Sequence, residues 1–157
     1  MFKKVLSLIL VIAMMLSLCG CSDLAGGAFL ALLAATGEDK ADRSDIFGFV
    51  RMNEDALTEA IEKGDFSEFE DTGIIKDIDA DETVVDFYCG GAGFGSATAY
   101  TGFYYTPKDD MTALWCAPSD GQLRPLGSGF EWREEGGDDR YYTEHICGNF
   151  YYYEASF

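Results

Sequence analysis

Apolar residues recur at helical spacing along residues 45–63, and charged residues fill most of the positions between them. Gly64 follows as a stop signal, so the pattern predicts one amphipathic helix. Because Gly48 and Asn53 have low helix propensity, a break near residues 51–53 stays open. The predicted buried face consists of Ile46, Phe47, Val50, Leu57, Ala60 and Ile61, packed on sheet residues that include Val85, Phe87, Ile146 and Phe150.

After residue 72 the pattern changes to short β-branched and aromatic runs separated by turn residues, which is typical of consecutive antiparallel strands. A glycine-rich stretch at residues 90–95 is predicted to interrupt the sheet. The predicted fold class is therefore α+β, with one N-terminal amphipathic helix packed on a mainly antiparallel meander of about 5–7 strands. The predicted strands lie at residues 73–78, 83–89, 97–106, 111–117, 129–134, 140–147 and 149–156.

Two aromatic runs, at residues 103–105 and 150–153, lack the alternation of a strand with one wet face. Such runs place large rings on both faces of a strand. Either the helix covers one face and loops cover part of the other, or one face exposes an aromatic strip that contacts a ligand. The candidate contact residues of that strip are Tyr104, Tyr105, Trp115, Trp132, Tyr151 and Tyr153.

Composition and charge narrow the function classes. The chain of 157 residues has room for one ordinary domain, and 48% hydrophobic residues with 15% aromatics suffice for a packed core. Twenty-eight acidic residues against 11 basic ones give a net charge of -17, which repels nucleic-acid phosphates and anionic lipid headgroups. We therefore expect no nucleic-acid partner.

The first residues have the order of an export signal: a basic start, an apolar run shorter than the roughly 20 residues that span a bilayer, and Leu18-Cys19-Gly20-Cys21. This ending resembles the lipobox of bacterial lipoproteins. The resemblance implies a signal peptide at residues 1–20, a lipidated Cys21 and an extracytoplasmic protein anchored to the cell membrane. It divides the rest into a lipid anchor and tether at residues 21–43 and a single domain at residues 44–157.

An uncleaved membrane helix is the alternative to a lipid anchor, because residues 24–35 form a second apolar stretch. Asp23 would then lie inside the span and cost roughly 2.5–3.5 kcal/mol, which disfavours a single long span. Residues 70–157 loosely resemble small uncharacterised surface lipoproteins of Gram-positive anaerobes. That resemblance implies no catalytic residue.

Two short motifs invite chemical interpretations that their context does not support. Gly91-Ala92-Gly93 precedes a strand-like segment instead of a helix, so it predicts no dinucleotide site. Residues 77–82 begin like a calcium loop, but the sixth position is Glu82 instead of glycine, which favours a solvated acidic turn. We expect no metal and no cofactor.

Cysteine and histidine offer little for catalysis. Once Cys21 carries lipid, Cys89, Cys116 and Cys147 can form one disulfide, and the sequence does not choose the pair. His145, the only histidine, lies two residues before Cys147 and so on the same face of a predicted strand. No orienting group completes a nucleophile pair there.

The sequence features are compatible with two classes of biochemical function. The first is a non-catalytic binding or envelope-associated module whose ligand is an envelope protein or a glycan. The alternative is a small extracytoplasmic hydrolase that uses carboxylates, although 28 acidic residues give no basis for choosing a pair. A pocket that holds carboxylates with shifted pKa values would favour the hydrolase.

Overall fold

The computed structural model describes residues 41–94, 97–119 and 121–157. The predicted signal peptide at residues 1–20, the lipidation site Cys21 and the tether up to residue 40 lie outside the described residues. Among those described, neither helix has the length and apolar content needed to cross a membrane.

Two helices stand where the sequence predicts one. The break at Asn53 has a local cause, because its side-chain amide donates to the Phe49 carbonyl at 2.8 Å and its carbonyl accepts from the Leu57 N–H at 2.8 Å. The first helix therefore ends and the second begins at this residue, as the low propensity allowed. The first helix begins at Arg43, two residues before the predicted start at residue 45. The helices are α1 (Arg43–Met52) and α2 (Glu54–Lys63).

Seven strands form one antiparallel sheet, and their order is β1-β2-β3-β7-β6-β5-β4. This topology consists of two meanders joined by the β3–β7 pair, instead of one continuous meander. The fold class α+β is confirmed. The strands are β1 (Asp77–Ala80), β2 (Val85–Phe94), β3 (Ala97–Tyr105), β4 (Arg124–Leu126), β5 (Gly129–Arg133), β6 (Arg140–Cys147) and β7 (Phe150–Ser156).

Three of the strand predictions are wrong. The strand predicted at residues 73–78 lies at Asp77–Ala80 instead, because the Thr72 hydroxyl donates to the Phe69 carbonyl and residues 72–74 form a bend. The prediction that residues 90–95 interrupt the sheet fails because β2 continues to Phe94, with a shift of register at Gly90 that its φ of 124° accommodates. Residues 111–117 form turns instead of a strand, because the Asp110 carboxylate accepts the Thr112 N–H at 2.9 Å and starts a turn there.

The helices cover one face of the sheet, which we call the helix side. Leu57 of α2 is fully buried there, and Phe87 stacks on Phe103 with ring centroids 4.5 Å apart. Each such side chain contributes about 1.5–3 kcal/mol by its removal from water. The predicted packing of the helical face on the sheet is confirmed, with Phe47 and Ile61 partly buried.

An irregular segment, residues 106–119, covers the opposite face of the sheet. We call it the cover segment. Its Leu114 and Cys116 are buried against tyrosines of the sheet, and the Tyr104 hydroxyl donates to the Met111 carbonyl at 2.9 Å. Gly102 leaves room for the Tyr153 ring, because a Cβ at that position would lie 2.8 Å from it. The aromatic runs are thus explained by cover on both faces.

Both edge strands of the sheet are short. The four-residue edge strand β1 exposes Asp77 and Asp79, and the three-residue edge strand β4 contains Pro125, which has no N–H to donate. Charge, proline and short length are the features by which natural sheets prevent pairing between edges of different molecules.

Candidate functional site

The six aromatic residues predicted as a contact surface do not form one. Tyr104, Tyr151 and Tyr153 are 0%, 5% and 1% exposed, so their prediction as contact residues is wrong. They lie beneath the cover segment because β3 and β7 are central strands. Tyr105 is half-buried on the helix side.

The two tryptophans lie in different surroundings. Trp115 is 65% exposed and contacts Tyr100 and Phe157, with both centroid distances at 6.0 Å. Its indole also hydrogen-bonds to the Asp86 carboxylate. Trp132 is half-buried near the β4 edge, where it lines a groove.

His145 and Cys147 lie on opposite faces, so the prediction that they share one is wrong. The register shifts between them, because β6 bulges before its turn to β7. His145 contacts the Tyr151 ring and hydrogen-bonds to the Gly148 carbonyl at 2.8 Å, whereas Cys147 packs on the helix-side core. The thiols of Cys89, Cys116 and Cys147 are all free, so none of the three possible disulfides forms among the described residues.

Exposed acidic clusters occupy two turns. The carboxylate oxygens of Glu134, Asp138 and Asp139 lie within 4.8 Å of one another between β5 and β6. At the end of β1, the Asp81 carboxylate accepts the Thr83 and Val84 N–H groups at 2.6 and 2.9 Å. These hydrogen bonds lower the pKa of Asp81 and show that residues 77–82 end in an acidic turn.

A groove runs around the β4 edge of the sheet. Its inner part lies on the helix side beside Arg43, and its outer part also includes Trp132, which packs with the residues beneath the cover segment. We call the whole groove the edge groove. Its floor is a row of residues in register, Arg124, Glu131, Tyr142 and Glu154, one from each of the strands β4 to β7. It has an outer part of about 690 Å³ and an inner part of about 460 Å³. Glu131 and Arg133 line both parts.

The outer part combines an aromatic ring with charged and amide groups. Trp132 and Arg124 line it together with Gln122 and Glu135. Within it, the Arg133 Nε donates to the Glu131 carboxylate at 2.9 Å. A half-buried indole with donors and acceptors around it suits a ligand that has both an apolar face and hydroxyl or amide groups.

A partly buried ion pair closes the inner end of the groove. Arg43, the first residue of α1, donates to Glu144, and its guanidinium lies 4.4 Å from the Phe47 ring centroid. Burial raises the pKa of Glu144, but hydrogen bonds from Arg43, Ser128 and Tyr142 outweigh burial and hold that pKa below its usual value. Glu144 therefore stays ionised and keeps Arg43 in place.

Arginines are concentrated in this groove although the protein is acidic. Four of the chain's five arginines line it, and Arg51 alone lies elsewhere. Trp132 is among the residues predicted from the sequence, and the arginines are not. A partial signal was present, because Arg133 and Arg140 lie within two consecutive predicted strands. Their convergence depends on strand register, which the sequence did not provide.

Comparison of the chain with protein-family models, with curated proteins and with solved structures finds no match.

Proposed function

We propose that this protein is a lipid-anchored extracytoplasmic binding module, without catalytic activity, that holds a glycan in the edge groove. The observation that carries the proposal is the outer part of the groove, whose lining combines Trp132 from the cover-segment side with Arg124 and Gln122 at the β4 edge. Aromatic faces pack on sugar rings, while guanidinium and amide groups bond to the hydroxyls around the ring edge.

The arrangement of carboxylates supports binding over hydrolysis. Glu131 in the groove is engaged by the Arg133 guanidinium at 2.9 Å. Burial raises the pKa of Asp86 to about 6, but Asp86 lies beneath Trp115 on the opposite face of the sheet. A carboxylate hydrolase needs its acid and its base on either side of one bond in one pocket.

The lipid anchor rests on the lipobox-like ending at Cys21. A diacylglyceryl group on this cysteine would hold the domain outside the membrane, and the net charge of -17 would keep it off anionic headgroups. Mass spectrometry of the membrane fraction should find an N-terminal peptide that starts at lipidated Cys21, and Cys21→Ala should prevent processing. Recovery of unmodified Cys21 in a chain that still starts at Met1 would refute the anchor.

The two tryptophans make the binding proposal directly testable. In the full chain carrying Trp115→Phe, Trp132 is the only indole, so its fluorescence reports on the groove. Titration with cell-wall glycan fragments should shift this emission saturably. Trp132→Phe in the otherwise native chain should weaken binding measured by calorimetry, while Trp115→Phe, the same exchange outside the groove, should not. Equal effects of the two exchanges, or no binding of any fragment, would refute the proposal.

A further inference from the structure

Three guanidinium groups from three elements meet in the inner part of the edge groove. Arg43 comes from α1, Arg133 from β5 and Arg140 from β6. The same pocket is lined by Ser128 and Tyr142, whose hydroxyls hydrogen-bond to the buried Glu144. The lining of this pocket therefore holds three arginines against two glutamates, in a chain with 28 acidic and 11 basic residues.

The pairing of Arg133 with Arg140 is unfavourable in the free protein. These residues lie directly opposite each other on β5 and β6. Side chains in such a pair have Cβ atoms about 4.5–5.5 Å apart, and like charges there repel. A like-charge pair that lowers the stability of the free protein is expected where a bound ligand supplies the opposite charge.

The carboxylates at the pocket already have partners. Glu131 bonds to the Arg133 Nε, Glu144 to Arg43, and Glu154 accepts the Tyr152 hydroxyl at 2.6 Å. Arg140 is exposed and makes no ion pair with any carboxylate of the described residues. Glu134, Asp138 and Asp139 line a neighbouring pocket with Arg133 and Arg140, but none of them forms an ion pair with Arg140 within 4.0 Å, so its donors stay open to a ligand.

We infer that the inner part of the edge groove binds an anionic oxygen group, a carboxylate or a phosphate, carried by the glycan. The inference rests on the function proposed above and narrows the ligand to an acidic polymer. Guanidinium groups bind both anions through paired N–H donors, which explains arginine instead of lysine at these positions. The anion would lie between Arg133 and Arg140 and remove their repulsion.

The test uses the full chain and three oligosaccharides of similar length: a neutral chito-oligosaccharide, an oligogalacturonate that carries carboxylates, and an oligosaccharide that carries phosphate esters. Calorimetry should give tighter binding of at least one acidic probe than of the neutral one, and this preference should fall with added salt. Comparison of the two acidic probes identifies the carboxylate or the phosphate as the anion. Arg140→Gln should lower the affinity for the acidic probe about tenfold or more. Arg140→Lys, which keeps the charge, should recover only part of this affinity.

Arg51→Gln is the matched control, since Arg51 is exposed on α1 outside the groove. It should change the affinity of the acidic probe by less than about twofold. The melting temperature of Arg140→Gln should stay level or rise, because the exchange removes a like-charge pair. Equal binding of neutral and acidic probes, or an unchanged affinity in Arg140→Gln, would overturn the inference and leave the proposed function standing. If the native chain binds none of the three probes, both the inference and the proposed function are overturned.

Discussion

Replacement of Asp86 by asparagine should make the protein more stable at neutral pH. Asp86 lies on β2 beneath the cover segment, opposite Asp79 on the edge strand β1. Burial raises the pKa of Asp86 from 3.8 to about 6, although hydrogen bonds from Tyr153 and Trp115 lower it in part. One of its carboxylate oxygens is buried with no hydrogen-bond partner among the described residues.

The direction of the effect follows from proton linkage. The pKa of Asp86 is higher in the folded than in the unfolded state, so ionisation at rising pH favours unfolding. The free energy of unfolding should fall between about pH 4 and pH 6 and then level off with respect to this group. A pKa of about 6 instead of 3.8 corresponds to about 3 kcal/mol. Asparagine accepts less strongly from Tyr153 and Trp115, so we expect a net gain of about 1–3 kcal/mol.

Urea denaturation at about pH 4 and about pH 7.5, followed by fluorescence, measures this difference. Asp71→Asn is the matched control, because it removes the same charge at an exposed position that does not contribute to the raised pKa of Asp86. The gain from Asp86→Asn should appear at the higher pH and largely vanish at the lower one, whereas the control should change less than about 0.5 kcal/mol between them. Equal gains for Asp86→Asn at both pH values would refute the reasoning.

Three further predictions concern the packing on the helix side of the sheet and beneath the cover segment. Phe87→Ala should cost about 3–5 kcal/mol in urea denaturation, while Met52→Ala, at a residue 81% exposed, should cost less than about 0.5 kcal/mol; similar costs would contradict the helix-side core. Tyr104→Phe removes the shorter of the two hydroxyl hydrogen bonds to the Met111 carbonyl, leaving only Tyr141 at 3.4 Å, and should raise hydrogen exchange in the cover segment but not in α2; unchanged exchange would count against this anchor. In the native protein, a thiol-alkylating reagent should modify Cys147 before Cys89, because Cys89 is fully buried and burial raises its pKa to about 12. The reverse order of modification would be incompatible with the packing.

The sequence predicted those parts of the fold that depend on local periodicity. The helical face at Ile46 and Leu57 has a 3.6-residue period, and the turn at Gly148 joins two aromatic strands by a two-residue loop. Cover on both faces was one of the two alternatives that the aromatic runs left open. Each of these features is encoded within a few neighbouring residues.

The features that escaped prediction depend on contacts between distant segments. The alternation at residues 111–117 predicted a strand, but Asp110 directs the backbone into turns, and Tyr141 on β6 donates to the Met111 carbonyl from 30 residues away. Strand β4 is only three residues long and contains Pro125, so it has almost no strand signal. The edge groove exists only because β4 pairs with β5, and the arginines therefore went unnoticed.

The two edge strands limit how a partner protein can be recognised. Many peptide ligands bind by adding a strand to a sheet, and this mode needs a free row of backbone donors and acceptors. At β1 an incoming strand would meet Asp77 and Asp79, and at β4 it would find three residues of which Pro125 lacks a donor. A bound chain must therefore lie across side chains instead of extending the sheet, so selectivity depends on the chemistry of its substituents and not on its backbone.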